Sequence, residues 1–353
     1  MKKIAVIGAG GSGYSVAAEL ALNGHRVRLC DILHDNGIEH FTERDVSLES
    51  AGSIVGTCVV DTVTTEPEVA LEEAQLVVCC TISNADELVA QAIAPYLAPG
   101  CTVLISAGNL GSLIYRRVFD QMQVKDVVVG ETSGSLFSSR RVGERKVFFG
   151  NGNTPKEAAA FPASDTEKLI AAFQGIYTLT PVSSILEATF NAPNLLSHIS
   201  LTIVNAGAIE NGAKPYYSFK QAICPSTIAI ADALWLEKKA VMDALGLPCC
   251  PSPAGNFKKY ADPDIHTFDD FKELTGPNSL QERHITEDCP IIGCLFLSVA
   301  KAVGVATPLY DALVKVAGAI NHTDYYAQGR TLENLGLGHL HGVQVAEYFK
   351  AAR

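Results

Sequence analysis

The sequence predicts an α/β chain in which a doubly wound parallel sheet over residues 1–183 precedes an all-α domain over residues 184–353. Three observations carry that expectation. A short apolar run, Lys3-Ile4-Ala5-Val6-Ile7, leads into a glycine-rich turn and then a helix-like stretch from Tyr14 to Asn23. Strand-like and helix-like segments go on alternating to about Val182, the pattern of parallel strands joined by helical crossovers. From about Ser184 the apolar residues recur at helical spacing in long segments.

Gly8, Gly10 and Gly13 stand at the G-x-G-x-x-G spacing. The first allows a tight turn, the second lets backbone approach a pyrophosphate, and the third lets the helix pack close to the strand. The helix N-terminus that follows presents unpaired N–H groups and a partial positive charge to an anion. Gly8, Gly10, Gly11, Ser12 and Gly13 are therefore the expected cofactor-binding residues of a Rossmann-type site. A second strand, Arg26 to Cys30, ends at Asp31, where a carboxylate accepts hydrogen bonds from an adenosine ribose. Asp31 opposes a 2′-phosphate and no arginine follows it closely, so NAD is expected ahead of NADP.

Between these motifs the chain reads as follows. Ile32 to Gly52 is polar and reads as an irregular excursion or a short helix, before a strand over Ser53 to Val63 and a short acidic helix over Glu66 to Glu73. Gln75 to Thr81 is a continuous apolar run, as expected of a central parallel strand covered on both faces. Ser83 with Asp86 resembles a cap opening a helix to about Tyr96, and Cys101 to Ser106 is the next strand. That strand runs into Ala107-Gly108-Asn109-Leu110-Gly111-Ser112. Carboxyl ends of parallel strands line ligand crevices, so Asn109 is a candidate pocket residue as well as an ordinary turn asparagine.

Lys125 to Glu131 and Arg145 to Phe149 read as strands with Arg140 and Arg141 in their connection. Ser164 and Glu167 read as a capping box for a helix to about Ala172, and Tyr177 to Val182 as a last strand. The long helices beyond are Leu195 to Glu210, Ser226 to Leu245, Ile291 to Val303 and Pro308 to Ile320. Thr307 caps the last of them, with proline at its first position, and Asn211-Gly212 is a helix stop.

Composition narrows the function. With 353 residues, 48% hydrophobic and 18% charged, the chain has material for two ordinary cores. A formal charge of −11 argues against nucleic-acid or anionic-membrane partners, which require clustered basic surface. Ten cysteines include no C-x-x-C pair and no zinc spacing, and they read as reduced thiols. His339 and His341 read as a polar surface turn, and no metal is expected. The basic start, Met1-Lys2-Lys3, is followed by too short an apolar run for a signal peptide, and no run of about eighteen apolar residues occurs. A cytoplasmic protein is expected, and a homodimer is left open.

Two clusters carry candidate chemistry. Asn194, His198, Thr202 and Asn205 recur at spacings that place them on one polar stripe of an otherwise apolar helix. His198 is either a satisfied interface histidine or a proton carrier, and spacing leaves both open. The second cluster is Arg283-His284-Ile285-Thr286-Glu287-Asp288-Cys289-Pro290, directly before an apolar helix. Asp288 reads equally as an acid beside a helix N-terminus.

This second cluster, together with Gly304-Val305-Ala306-Thr307-Pro308, Asp311, Asp324-Tyr325-Tyr326, Gly329-Arg330-Thr331-Leu332 and Leu335-Gly336-Leu337, resembles the C-terminal helical domain of the octopine/nopaline (opine) dehydrogenases. The helix with His198 followed by Val204-Asn205-Ala206-Gly207 matches as well. The chain departs from the family at Ile199, where proline usually follows the histidine, and at Thr132-Ser133-Gly134-Ser135-Leu136, where a proline-containing segment is usual.

The resemblance implies that an α-keto acid and an amino acid condense to an imine, which the reduced nicotinamide cofactor converts to a secondary-amine dicarboxylate. It implies His198 as general acid/base, Asp288 as its orienting carboxylate and Arg283 as partner of a substrate carboxylate, with Asn109 and Asn205 as further substrate-binding candidates. Three alternatives stand beside it: a 2-keto-acid or ketopantoate-type reductase, an amino-acid dehydrogenase using ammonia, and a non-catalytic NAD-binding sensor.

Overall fold

The computed structural model describes residues 1–33 and 44–351, which fall into two compact units, Met1–Ala188 and Thr189–Ala351. The first unit is built on strands β1 (Lys3–Ile7), β2 (Arg26–Cys30), β3 (Arg44–Gly52), β4 (Gly56–Thr64), β5 (Leu76–Cys79) and β6 (Thr102–Ile105). These continue as β7 (Val128–Thr132), β8 (Ser139–Gly143), β9 (Lys146–Phe149), β10 (Lys156–Ala160) and β11 (Leu179–Pro181). They form one sheet in the order β11-β10-β7-β6-β5-β1-β2-β4-β3-β9-β8.

β1 is parallel to both β2 and β5, and the chain moves outward to one side of β1 and then to the other. That reversal makes the sheet doubly wound, as expected. Ligands of such sheets bind beyond the carboxyl ends of the strands at the reversal point. Helices α1 (Gly11–Leu22), α2 (Pro67–Leu71), α3 (Asp86–Ile93), α4 (Gly111–Gln121) and α5 (Thr166–Ala172) complete the unit.

Both faces of the central strands are buried, which is why they read as unbroken apolar runs. Ile4 and Val6 of β1 pack in the layer with Val16, Ala17 and Leu20 of α1. Ala5 and Ile7 point the other way, into the layer that holds Val89, Ile93, Tyr115 and Phe119.

The chain passes into the second unit within α6 (Ile185–Asn191). Helices α7 (Asn194–Ile203), α8 (Ala206–Asn211), α9 (Ser218–Gln221), α10 (Pro225–Leu245), α11 (Ala254–Ala261) and α12 (Asp269–Lys272) follow. α13 (Arg283–Thr286), α14 (Cys294–Ala302), α15 (Pro308–Asn321), α16 (Tyr325–Gln328) and α17 (Val343–Lys350) complete the described part of the unit. The buried Tyr310 hydroxyl on α15 donates to the Leu195 carbonyl at 2.9 Å and ties α15 to α7. No described helix is long and apolar enough to cross a membrane.

Several local expectations are corrected. Arg44–Gly52 is a strand rather than an excursion or helix. Val46 and Leu48 face the core while Asp45, Ser47 and Glu49 face solvent, so its polar composition concealed a half-buried antiparallel partner of β4. The expectation for residues 34–43 lies outside the described residues. Arg140 and Arg141 lie on a strand, β8, not in a connection. Lys156–Ala160 is a strand that its alanines did not announce.

The helix expected from Ser83 opens there as a short 3-10 turn, Ser83–Ala85, and runs on as α3, which has no side-chain cap bond at its N-cap Ala85; the Ser83 hydroxyl accepts from the Asn109 amide at 3.1 Å. Ser164 likewise precedes a helix that begins at Thr166 without a side-chain cap bond. The single helix expected over Leu195 to Glu210 is divided, with Asn205 as the N-cap of α8. The helix expected from Ile291 begins as a one-turn π-helix, Cys289–Gly293.

A buried acid in the first unit makes stability depend on pH. Glu19 on α1 is 4% exposed, and its Oε1 accepts from the Asn23 amide at 2.7 Å. Burial raises its carboxyl from 4.5 to about 7, against the smaller opposing effect of its hydrogen bonds. Between those two values the folded chain holds a proton that the unfolded chain has released, so stability falls as pH rises through this window. Glu19→Gln should remove that slope. Relative to wild type, the variant should gain about 1–3 kcal/mol on going from acid to neutral pH, read by urea denaturation across the window.

Candidate active site

In the first unit the glycine turn has the shape its spacing implies. Gly8 has φ of +101°, and its N–H donates to the Cys30 carbonyl at 2.7 Å. Gly10 is the N-cap of α1 and Gly11 its first residue. A Cβ on Gly13 would stand 1.7 Å from the Gly8 carbonyl oxygen, so the helix lies as close to the turn as backbone permits. The first-turn N–H groups of Gly11, Ser12 and Gly13 precede any intrahelical acceptor, as an anion site requires. Asp31 follows β2, fully buried, with its N–H donating to the Thr64 carbonyl at 3.0 Å. These residues fit a dinucleotide.

Sequence reasoning missed what lies beside this turn. The Ser139 hydroxyl on β8 donates to the Gly11 carbonyl at 3.1 Å and stands 2.9 Å from the Ser15 hydroxyl. The Arg141 guanidinium lies 4.5 Å from the Tyr14 ring centre. A basic pair on β8 therefore flanks the N-terminus of α1. The adjacent arginines were visible in the sequence, but their pairing through β9 to β3 was not.

The turn after β6 is strained: Ala107, Asn109 and Leu110 all have positive φ, of 64°, 50° and 66°. Glu131, fully buried, holds it, accepting from the N–H groups of Leu110 and Ser112 at 2.9 Å each. Asn109 is buried and donates to Ser83.

In the second unit the two candidate clusters meet. The His198 Nδ1–H donates to Asp288 Oδ2 at 2.5 Å, and the Asn194 amide donates to Asp288 Oδ1 at 2.8 Å. The spacing of four on α7 stacks Asn194 and His198 one above the other, so one carboxylate reaches both. Asp288 is 8% exposed and directly precedes the π-turn. There the Gly293 N–H reaches back five residues to the Asp288 carbonyl at 2.8 Å. Such wide turns occur often at functional sites.

His284, named only as part of its cluster from sequence, proves to be stacked on His198, with ring centres 3.8 Å apart and planes inclined by 13°. α13 places it there, beside Asp288, and buries it. Its position directly after Arg283 was the available signal. Arg283 itself is half exposed, 52% by side chain, with Nη1 3.7 Å from Glu287 one turn on. Of the remaining polar stripe, Thr202 is buried, and the Asn205 amide donates to the Leu201 carbonyl at 3.0 Å.

A glycine-turn sheet followed by a helical unit with a His–Asp pair fits the class of nicotinamide-dependent oxidoreductases, and comparison with known proteins supports that class. Residues 181–321 match the family model described as NAD/NADP octopine/nopaline dehydrogenase, alpha-helical domain. Residues 4–143 match the model for ketopantoate reductase PanE/ApbA. The chain is 28% identical over 354 residues to an opine dehydrogenase of Arthrobacter sp. (strain 1C), covering 96% of each. It is 24% identical to vitopine synthase of Allorhizobium ampelinum, again over 96% of each. A solved octopine dehydrogenase, in a structure described with NADH and pyruvate, superposes with a TM-score of 0.67 at 19% identity, covering 97% of this chain and 99% of that one. Yersinopine dehydrogenase with NADP+ bound gives 0.67 at 15% identity, covering 99% and 97%. Over residues 181–321 the chain matches the alpha-helical domain of the octopine/nopaline dehydrogenases, and along nearly its whole length it is similar to opine dehydrogenases.

The close approach at Gly13 is testable without ligand. Gly13→Ala forces helix or turn to move, and should cost about 2–4 kcal/mol of stability in urea denaturation, whereas an unchanged midpoint would show that the contact is easily relieved.

Proposed function

We propose that the chain catalyses reductive condensation of an α-keto acid with the amino group of an amino acid, giving a secondary-amine dicarboxylate by action on a CH–NH bond. The observation that carries the proposal is the Asn194–Asp288–His198 arrangement, formed within the residues that match the octopine/nopaline domain. Relatives named for opine synthesis along almost their full length favour it over a plain keto-acid reductase.

Bound NAD(P)H supplies the hydride that reduces the imine carbon. Gly8, Gly10, Gly11, Ser12 and Gly13 would hold its pyrophosphate and Asp31 its ribose. The Asp31 carboxylate favours NADH over NADPH, because it opposes a 2′-phosphate.

His198 manages the proton traffic. Its Nδ1–H is engaged by Asp288, so the proton it exchanges with substrate is on Nε2. Amine addition to the keto carbon and loss of water require a proton on the departing oxygen, which Nε2 delivers. Asp288 holds the ring and balances the imidazolium. The stacked His284 ring restricts rotation of the His198 plane. Arg283, only loosely paired with Glu287, turns its guanidinium to a substrate carboxylate. Asn109 and Asn205 are the remaining candidates for substrate contact, and their bonds to Ser83 and Leu201 assign them first to holding the turn and the helix junction.

The deciding experiment follows NADH absorbance with keto acids led by pyruvate, each with and without pooled amino acids or ammonium. Consumption that needs both keto acid and amino acid, with a secondary-amine product by mass, is expected. Consumption with keto acid alone would move the assignment to a 2-hydroxy-acid-forming reductase, and ammonium-dependent consumption to an amino-acid dehydrogenase. NADH binding without consumption would leave a sensor.

His198→Ala should lower turnover roughly 10²–10⁴-fold while NADH still binds by fluorescence titration; near-normal turnover would remove the histidine from the mechanism. Arg283→Leu should raise the Michaelis constant of the keto acid or amino acid roughly tenfold or more, as expected for a lost charge-assisted pair. Unchanged constants for both would take Arg283 out of substrate binding.

A further inference from the structure

The second unit buries a lysine against a cysteine. Lys238 on α10 is 1% exposed, and among the described residues its hydrogen-bond partner is Cys250, with Nζ to Sγ at 3.0 Å. A buried ammonium loses its hydration, and a neutral thiol repays little of that cost. The sulfur in turn donates to the Asn191 carbonyl at 3.7 Å, so it stands between the buried ammonium and a backbone acceptor.

The sulfur is also held in place and reachable. The Cys250 N–H donates to Asn191 Oδ1 at 3.0 Å, and its carbonyl accepts from the Trp235 indole at 2.8 Å. The Asn191 amide donates to the Pro248 carbonyl at 3.3 Å, closing a clamp around the loop. Cys250 is itself partly exposed. Partial exposure beside a fixed cation is the setting of reactive thiols, whereas buried cysteines are inert.

We propose that Cys250 is a modification site, a partly exposed sulfur beside the buried Lys238 ammonium that reacts with hydroperoxides and soft electrophiles. Its sulfur attacks the terminal oxygen of the peroxide, forming an S–O bond as the O–O bond breaks. The sulfur is oxidised by two electrons to sulfenic acid and the peroxide is reduced. The departing oxygen takes a proton from Lys238 Nζ and leaves as water or an alcohol, and the amine regains its proton from solvent. The neighbouring Cys249 does not compete, because burial pushes its thiol up. Cys224 is exposed, and hydrogen bonds with Thr227 pull its thiol down, so it serves as an internal reference.

The test treats the full chain and Lys238→Met with hydrogen peroxide plus a sulfenic-acid-trapping dione, or with iodoacetamide alone, and locates adducts by peptide mass spectrometry. The expected result is labelling of Cys250 in wild type, with its rate about tenfold or more lower in Lys238→Met while the Cys224 rate is unchanged. Equal Cys250 rates in the two proteins, or no labelling of Cys250 by peroxide, overturn the proposal. Should Lys238→Met lose its fold by circular dichroism, the wild-type rates decide: Cys250 is expected to be labelled faster than Cys249, which is likewise partly exposed, and a Cys250 rate no higher than that of Cys249 overturns the proposal.

Discussion

The Asp288 carboxylate is the point on which the polar cluster of the second unit depends. Its two oxygens take one donor each from successive turns of the same helix, Asn194 on Oδ1 and His198 on Oδ2. A carboxylate this deeply buried is tolerated because both bonds are charge-assisted. Backbone geometry converges on the same residue. The π-turn widens the chain at Cys289–Gly293, and Pro290, which has no N–H to give, offers its carbonyl to Arg330 at 2.7 Å.

In the first unit a different constraint does the same work. The glycine turn depends on backbone approaching backbone, with Gly8 and Gly13 separated by less than a side-chain carbon allows. Nothing larger than hydrogen fits at Gly13, and the positive φ of Gly8 is one that L side chains rarely adopt. β8 then adds polar and basic groups to a site that the turn alone would leave to its N–H donors.

Departures from the family pattern bear on these two sites unequally. Ile199, standing where the resemblance expects proline, is buried in the core, and α7 runs unbroken from Asn194 to Ile203, so the histidine keeps its place on the helix. At Thr132–Leu136 the substitution falls near the strained turn: the Thr132 hydroxyl accepts from the Ala107 N–H at 3.3 Å, and the Leu136 N–H donates to the Ser106 hydroxyl at 3.0 Å. The departure at Thr132–Leu136 therefore alters the surroundings of the strained turn, while that at Ile199 leaves the His198–Asp288 bond in place.

What the sequence by itself determined was whatever local chemistry dictates: the glycine spacing, the apolar runs of the central strands, the acid closing the second strand, and the helical periodicity of the second half. It also placed Asn194 and His198 on one helical face, because a period of 3.6 residues leaves no other arrangement. Only tertiary structure decided the rest. Asp288 lies 90 residues from His198 in sequence, and no spacing reveals that they share a hydrogen bond. The polar strand at Arg44–Gly52 needed β4 beside it, and β8 needed β9, before either read as a strand. Ser83 meets Asn109, and His284 meets His198, because packing brings partners distant in sequence within reach of one another.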